Sequence, residues 1–200
     1  MRIIVIGGKG TIGSAVVKAL SKEHEVLVAS RNEADLTCDI TSEESLKDMF
    51  KSAGIFHAVV IATGYVTFED FDKMDAKKYY SSIQNKLMGQ LNAVLIGREW
   101  IQDKGSFTLT SGILSHVPIR MGTAASMVNK AIEGFVMASA IEMQRQIRIN
   151  AVSPTILEES VKKYGAYFRG FETVPASKVA MAYLRSIEGL QTGQIFEVLN

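Results

Sequence analysis

The sequence predicts an α/β fold, a central and mostly parallel sheet of about seven strands flanked by helices. Two observations carry that expectation. Short β-rich runs alternate with longer stretches of helical periodicity along the whole chain, the pattern left by strands joined through crossover helices. The first strand also feeds directly into a glycine-rich turn that opens a helix, Ile3-Ile4-Val5-Ile6-Gly7-Gly8-Lys9-Gly10-Thr11-Ile12-Gly13.

Taken in order, strands are expected near 2–7, 25–30, 35–38, 57–62, 105–110, 147–152 and 195–199, and helices near 12–22, 42–53, 75–101, 121–144 and 175–187. The first strand is an apolar β-branched run, and Ser14-Ala15-Val16-Val17-Lys18-Ala19-Leu20 continues the first helix. Glu25-Val26-Leu27-Val28-Ala29 reads as the second strand. The stretch from Ser30 to Cys38 leaves little room for a crossover helix, so a bare loop joins the third strand. Glu43-Glu44 follow Thr41-Ser42, carboxylates where they complement a helix start. Leu87, Leu91, Val94 and Leu95 on one later helix, and Ala124, Ala125, Val128, Ala131, Ile132, Phe135 and Val136 on the next, spread apolar surface over more than one stripe. One face of each helix covers the sheet, and the other is available to a second copy of the chain. Residues 155–174, rich in glycine, aromatic and charged side chains after a strand's carboxyl end, read as a substrate-side loop.

With 200 residues, 47% hydrophobic content and only 3 prolines, the chain can bury one sizeable core and reads as a single domain over 1–200. Lys+Arg 22 against Asp+Glu 21 gives a net charge of +1 with no basic cluster, which argues against a nucleic-acid partner or a charged membrane. The first apolar run is interrupted at Gly7-Gly8 before it reaches signal-peptide or membrane-spanning length, so a cytoplasmic protein is expected. Cys38 is a lone cysteine at a strand end and reads as a small core residue. His24, His57 and His116 are scattered, and no metal-ligand spacing stands out.

The glycine turn is the most specific signal. Gly7-x-x-Gly10-x-x-Gly13 between a strand and a helix lets the backbone turn sharply and approach a pyrophosphate. The first free N–H groups of the helix, around Thr11 and Ile12, attract the phosphate charge. The competing reading is a tight turn with no ligand, but three glycines at this spacing exceed what a turn needs. The expected domain is therefore a Rossmann-like, doubly wound, dinucleotide-binding one. An NAD-preferring site would end its second strand in an acidic residue, whereas this strand ends in Ser30-Arg31. Arg31 offers a planar fork to a 2′-phosphate, so NADP(H) is the expected cofactor. Lys9 either adds a second positive contact or points into water.

From Met1 to Asn200 the chain resembles the short-chain dehydrogenase/reductase family. Gly7-x-x-Gly10-x-x-Gly13 is similar to that family's cofactor loop, and Cys38-Asp39-Ile40-Thr41 to its adenine-contacting segment. Ile61-Ala62-Thr63-Gly64 stands where the family carries Asn-Asn-Ala-Gly, with only the glycine kept. Ile147-Arg148-Ile149-Asn150-Ala151-Val152-Ser153-Pro154 is close to the segment beside the nicotinamide, with Thr155 replacing its final glycine. The resemblance implies cofactor contacts from Asp39, Ile40, Ala62, Thr63, Gly64, Pro154, Thr155 and Ile156.

The resemblance also implies a catalytic set of Ser, Tyr, Lys four residues after the Tyr, and an Asn on an earlier helix. Ser111, ending Thr108-Leu109-Thr110-Ser111-Gly112, fits the serine, and Lys130 in Ser126-Met127-Val128-Asn129-Lys130-Ala131 fits the lysine that binds nicotinamide ribose. That alignment puts Ser126 at the tyrosine position, with no tyrosine between Tyr80 and Tyr164, and makes the Ser111-to-Lys130 interval slightly longer than usual. Aligned on Gly89, the asparagine position falls on Lys86, with Asn85 one residue off. The expected proton path runs through Lys86 and Ser126, with Ser111 on a carbonyl oxygen. The two readings that follow are an NADP(H)-dependent oxidoreductase acting on a carbonyl/alcohol pair and a non-catalytic NADP(H)-binding sensor. The family commonly pairs its subunits, so a homodimer or tetramer through the helices near 75–101 and 121–144 is expected.

Overall fold

The structure, a computed structural model, describes residues 1–199. Strands β1 (Arg2–Ile6), β2 (Glu25–Ser30), β3 (Leu36–Thr37), β4 (Phe56–Ile61), β5 (Ile101–Thr110), β6 (Arg148–Pro154) and β7 (Ile195–Val198) form one sheet in the order β3-β2-β1-β4-β5-β6-β7. Every pairing is parallel, as strands buried on both faces by crossover helices require.

Helices α1 (Thr11–Leu20), α2 (Glu43–Ala53), α3 (Ala76–Ser82), α4 (Gly89–Gly97), α5 (Thr123–Glu142), α6 (Val161–Tyr164) and α7 (Ala176–Glu188) supply those layers. Side-chain alternation divides the core accordingly. Ile3 and Val5 of β1 pack with α1 and α7 residues such as Val16, Leu20, Val179 and Tyr183. Ile4 and Ile6 face the opposite layer with Met49 and Phe50 of α2, Val94 of α4 and Ile132 of α5.

The helix ends follow local chemistry. Ser42 Oγ accepts from Ser45 N at 3.1 Å to cap α2, and Asp75 Oδ1 accepts from Lys78 N at 2.8 Å to cap α3. At the far end of α7, Arg148 donates to the carbonyls of Ser186 and Ile187, the latter at 2.7 Å, so a cation meets the negative end of the helix. Cys38 is buried, which pushes its thiol up to about 12 and leaves it a packing residue.

Two expected boundaries differ. The helix expected over 75–101 is α3, then a π-helical segment Ile83–Met88, then α4. It stops at Gly97 because β5 starts early, at Ile101, and a register shift between Phe56 and Ala58 on the β4 side absorbs the extra residues. In 155–174 the structure adds the short α6 and a parallel bridge between Leu157 and Val174. None of the described helices is long and apolar enough to cross a membrane.

Chain order reverses between β1 and β4, one leading to β2 and β3 and the other to β5, β6 and β7. Loops leaving adjacent strands at such a point diverge and open a crevice at the carboxyl ends.

Candidate active site

Two adjoining cavities fill that crevice. One, of about 600 Å³, is lined by Gly7, Lys9, Gly10, Ser30, Arg31, Asp39 and Ile40 among others. The second, of about 320 Å³, reaches from Ile12 to Lys86, Ser111, Ala125, Asn129, Pro154, Thr155 and Ile156. Both are walled by Ala62, Thr63, Gly64 and Tyr65, so they form one elongated cleft.

At the first end the three glycines do different work. Gly7 sits at φ +83, and a Cβ there would lie 2.6 Å from Ala62 O. At Gly13 a Cβ would lie 2.1 Å from Gly7 O, so α1 can pack this close only through glycine. A Cβ at Gly10 would meet nothing nearer than Gly7 O at 3.3 Å, so its absence leaves space on the cleft side. No side chain caps α1, which leaves the N–H groups of Thr11, Ile12 and Gly13 for an anion. These features fit a dinucleotide pyrophosphate.

Further along the same end, Ser30 Oγ donates to Asn32 O at 2.6 Å, and Arg31 is exposed on the cavity wall. Lys9 is about half exposed with Glu33 3.8 Å away. Asp39 Oδ1 accepts from both Thr41 N and Thr41 Oγ1, at 2.9 and 2.7 Å. Those hydrogen bonds hold its carboxyl below the usual value and fix the loop that carries Ile40.

The second end is built around Lys86, which the π-helical segment turns into the cleft; such single π turns recur at functional sites. Its Nζ donates to Asn129 Oδ1 at 2.6 Å and to Ser111 O at 3.0 Å. Both acceptors are neutral, and burial lowers the ammonium from 10.5 to about 8. Gly64, at φ +135, lies so close that a Cβ would sit 2.6 Å from Lys86 Cγ. Asn85 on the same segment accepts from Tyr65 N at 2.6 Å and holds the loop after β4.

Ser111 is fixed at the end of β5. The buried amide of Gln90 pairs with both the N–H and the C=O of Thr110, at 2.8 and 2.9 Å, where β5 outruns β4. Thr110 Oγ1 donates to Ile61 O at 2.6 Å. Ser111 lines the cavity, and its hydroxyl donates to Glu133 Oε1 at 2.8 Å.

The structure does not bring Ser126 and Lys130 into the cleft. Lys130 is 56% exposed with Glu133 3.6 Å away, and the Ser126 hydroxyl is buried without a partner among the described residues. Residues one position earlier on α5, Ala125 and Asn129, face the cavity. The physical reason is helix phase, since one residue turns the side chain about 100° around the axis. Asn129 had a signal in the sequence, because the slightly long Ser111-to-Lys130 interval shortens by one residue when counted to Asn129. Thr155 Oγ1 donates to Glu172 O at 3.0 Å, and Tyr164 and Phe168 of the 155–174 segment close the cavity.

A crevice at the switch point of a parallel doubly wound sheet, entered by an uncapped glycine-flanked helix, defines a Rossmann-type nucleotide-binding domain. The family model described as Enoyl-(Acyl carrier protein) reductase matches residues 9–190. The chain belongs to the short-chain dehydrogenase/reductase family of oxidoreductases. A protein from Listeria innocua of known crystal structure is 47% identical, with 99% of each chain covered and a TM-score of 0.97. A small-chain dehydrogenase in complex with NADPH is 28% identical, covering 99% of this chain and 96% of that one, at a TM-score of 0.89. A short-chain type dehydrogenase/reductase from Mycobacterium ulcerans, 17% identical over 98% of this chain and 87% of that one, shares the fold at a TM-score of 0.86. No curated protein matches the chain.

Proposed function

We propose that the chain is an NADP(H)-dependent oxidoreductase acting on a carbonyl/alcohol pair. The observation that carries this reading is the single cleft running from Arg31 and the α1 N-terminus to Lys86 and Ser111. In it Gly7, Gly10, Thr11, Ile12 and Gly13 hold the pyrophosphate. Ser30, Arg31 and Lys9 face the 2′-phosphate, and Asp39 with Ile40 faces the adenine. Ala62, Thr63, Gly64, Pro154, Thr155 and Ile156 line the remainder. When bound, the nicotinamide supplies or accepts a hydride at the substrate carbon. The NADPH-complexed neighbour supports the choice of cofactor.

Lys86 replaces Lys130 in this reading. Its ammonium is held by Asn129 and the Ser111 carbonyl with one proton left to donate, toward a ribose hydroxyl or the substrate oxygen. Ser111 lies beside it at the carbonyl oxygen. The sensor reading has one observation in its favour, the apolar Ala125 on the cavity wall. Oxidation of NADPH by an aldehyde, ketone or quinone separates the two readings.

Calorimetric titration should give tighter binding of NADPH than of NADH, with Arg31→Ala weakening NADPH by roughly tenfold or more. Preference for NADH would overturn the assignment of Arg31. A second expectation concerns self-association. Leu95 of α4 and Met127, Met137 and Ile141 of α5 are exposed, Ile141 at 88%, and apolar helix faces of this kind pair across a two-fold axis. The protein should sediment as a dimer or tetramer at micromolar concentration, and a monomer would overturn the pairing.

A further inference from the structure

A buried carboxylate lies behind Ser111, and nothing in the cofactor cleft uses it. Glu133 of α5 is 1% exposed. Its Oε1 accepts from Ser111 Oγ at 2.8 Å and from Ser115 Oγ at 2.6 Å. On the other side, Oε2 lies 3.0 Å from His116 Nε2 and 3.6 Å from Lys130 Nζ. His116 is 42% exposed and has Glu197 of β7 3.8 Å away. Burying a carboxylate costs free energy even when it is paired. Ser115 and Lys130 partner it without approaching the cleft, whereas Ser111 lines the cavity and His116 reaches water.

We propose that Ser111, Glu133 and His116 form a proton relay between the cleft and solvent. The relay rests on the oxidoreductase reading and supplies the acid that the missing tyrosine would have provided. In the reducing direction the carbonyl carbon takes a hydride from the reduced nicotinamide, and the carbonyl oxygen takes the Ser111 Oγ proton. Ser111 recovers a proton from protonated Oε1 of Glu133. His116 imidazolium reprotonates the carboxylate at Oε2, a half-turn of the carboxyl group brings that proton back to the Ser111 side, and water reprotonates the imidazole. The net change is one carbonyl reduced to an alcohol, one nicotinamide oxidised and one proton taken from water. Oxidation runs the same bonds in reverse. The hydrogen bond present, with Ser111 donating to the carboxylate, is the arrangement that receives a proton from an alcohol.

Two readouts test the relay. In the cofactor-free protein, the His116 ring nitrogen signals are compared by NMR at one fixed pH in wild type and in Glu133→Gln. The His116 Nε2 signal should move in the variant, because the carboxylate 3.0 Å away has become a neutral amide. An unmoved Nε2 signal overturns the relay whatever the enzyme's activity. The second readout is turnover with NADPH and three carbonyl probes: 4-nitrobenzaldehyde, cyclohexanone and menadione. Glu133→Gln should lower kcat about 100-fold or more with KM little changed. His116→Ala, at an exposed position that folding tolerates, should lose less and regain rate with added imidazole, to which wild type is indifferent. Wild-type rates and pH profiles in both variants would overturn the relay and leave the oxidoreductase reading standing. Absence of wild-type turnover on every probe, with the His116 Nε2 signal still dependent on Glu133, would instead overturn the oxidoreductase reading and the relay with it.

Discussion

Gly13→Ala is expected to destabilise the cofactor-free protein by about 3 kcal/mol or more, the upper end of what overpacking costs. The new Cβ would lie 2.1 Å from Gly7 O, 2.7 Å from Gly7 C and 2.8 Å from Gly8 Cα. All three are backbone atoms of the turn between β1 and α1, and none can swing aside as a side-chain end would. Either α1 lifts from the sheet, losing contacts of Val16 and Leu20, both buried, or the turn deforms. Denaturant unfolding of the cofactor-free variant checks this through a lowered midpoint. Gly10→Ala is the informative contrast. Its Cβ would meet only Gly7 O at 3.3 Å, so the cofactor-free fold should lose little, while the methyl group occupies space a pyrophosphate needs. Nearly native stability with NADPH binding weakened more than tenfold is the expected result. Equal destabilisation by both substitutions would mean that Gly10 serves the fold and not the ligand.

This separation of roles explains what could be read from the chain. The β1 turn and α1 are legible because their determinants are local: a β-branched run, three glycines at fixed spacing and a periodic apolar helix. Parallel pairing follows from the alternation of elements. The phase of α5 at the cleft was not legible in the same way. Ser126 and Lys130 differ from Ala125 and Asn129 by a single residue, and tertiary packing of Val128, Ile132 and Val136 against the sheet decides which pair turns inward. The π-helical segment is hidden for a related reason, since Ile83–Met88 differs from ordinary helix only in which carbonyl each N–H selects. Glu133 is the further signal, an acidic residue between the buried Ile132 and Val136. A carboxylate at such a position calls for polar partners; Lys130 stands at i,i+3 spacing on the same helix, but Ser111, Ser115 and His116 follow β5, remote enough in sequence that no spacing rule connects them.

Lys86→Met should reduce kcat by about 10²–10⁴, the contribution of a positioned acid or charge in the site. Gly64 admits the Lys86 stem at a distance no other residue would allow, and Asn129 with the Ser111 carbonyl takes two of the three ammonium protons. The remaining proton is aimed where a ribose hydroxyl or a developing alkoxide would accept it. Methionine keeps the length and removes the charge, so the fold is retained and the loss falls on turnover. Stability gives an independent check through pH. Lys86 titrates at about 8 in the folded protein against an ordinary lysine value of 10.5, because burial disfavours its charge. Below pH 8 the group is charged in both folded and unfolded chains, and the folded protein bears the whole cost. Between about 8 and 10.5 the unfolded chain holds a proton that the folded one has released, so wild-type stability rises with pH. Lys86→Met lacks this contribution, and every other titrating group is common to both proteins. Wild type should therefore gain on the variant by an amount of order 2 kcal/mol across that window, less where water reaches the side chain. Unfolding curves for the pair at pH 7 and pH 10 measure the difference directly. A constant difference would mean that the ammonium stays hydrated, and a variant kcat within threefold of wild type would remove Lys86 from the chemistry of the cleft.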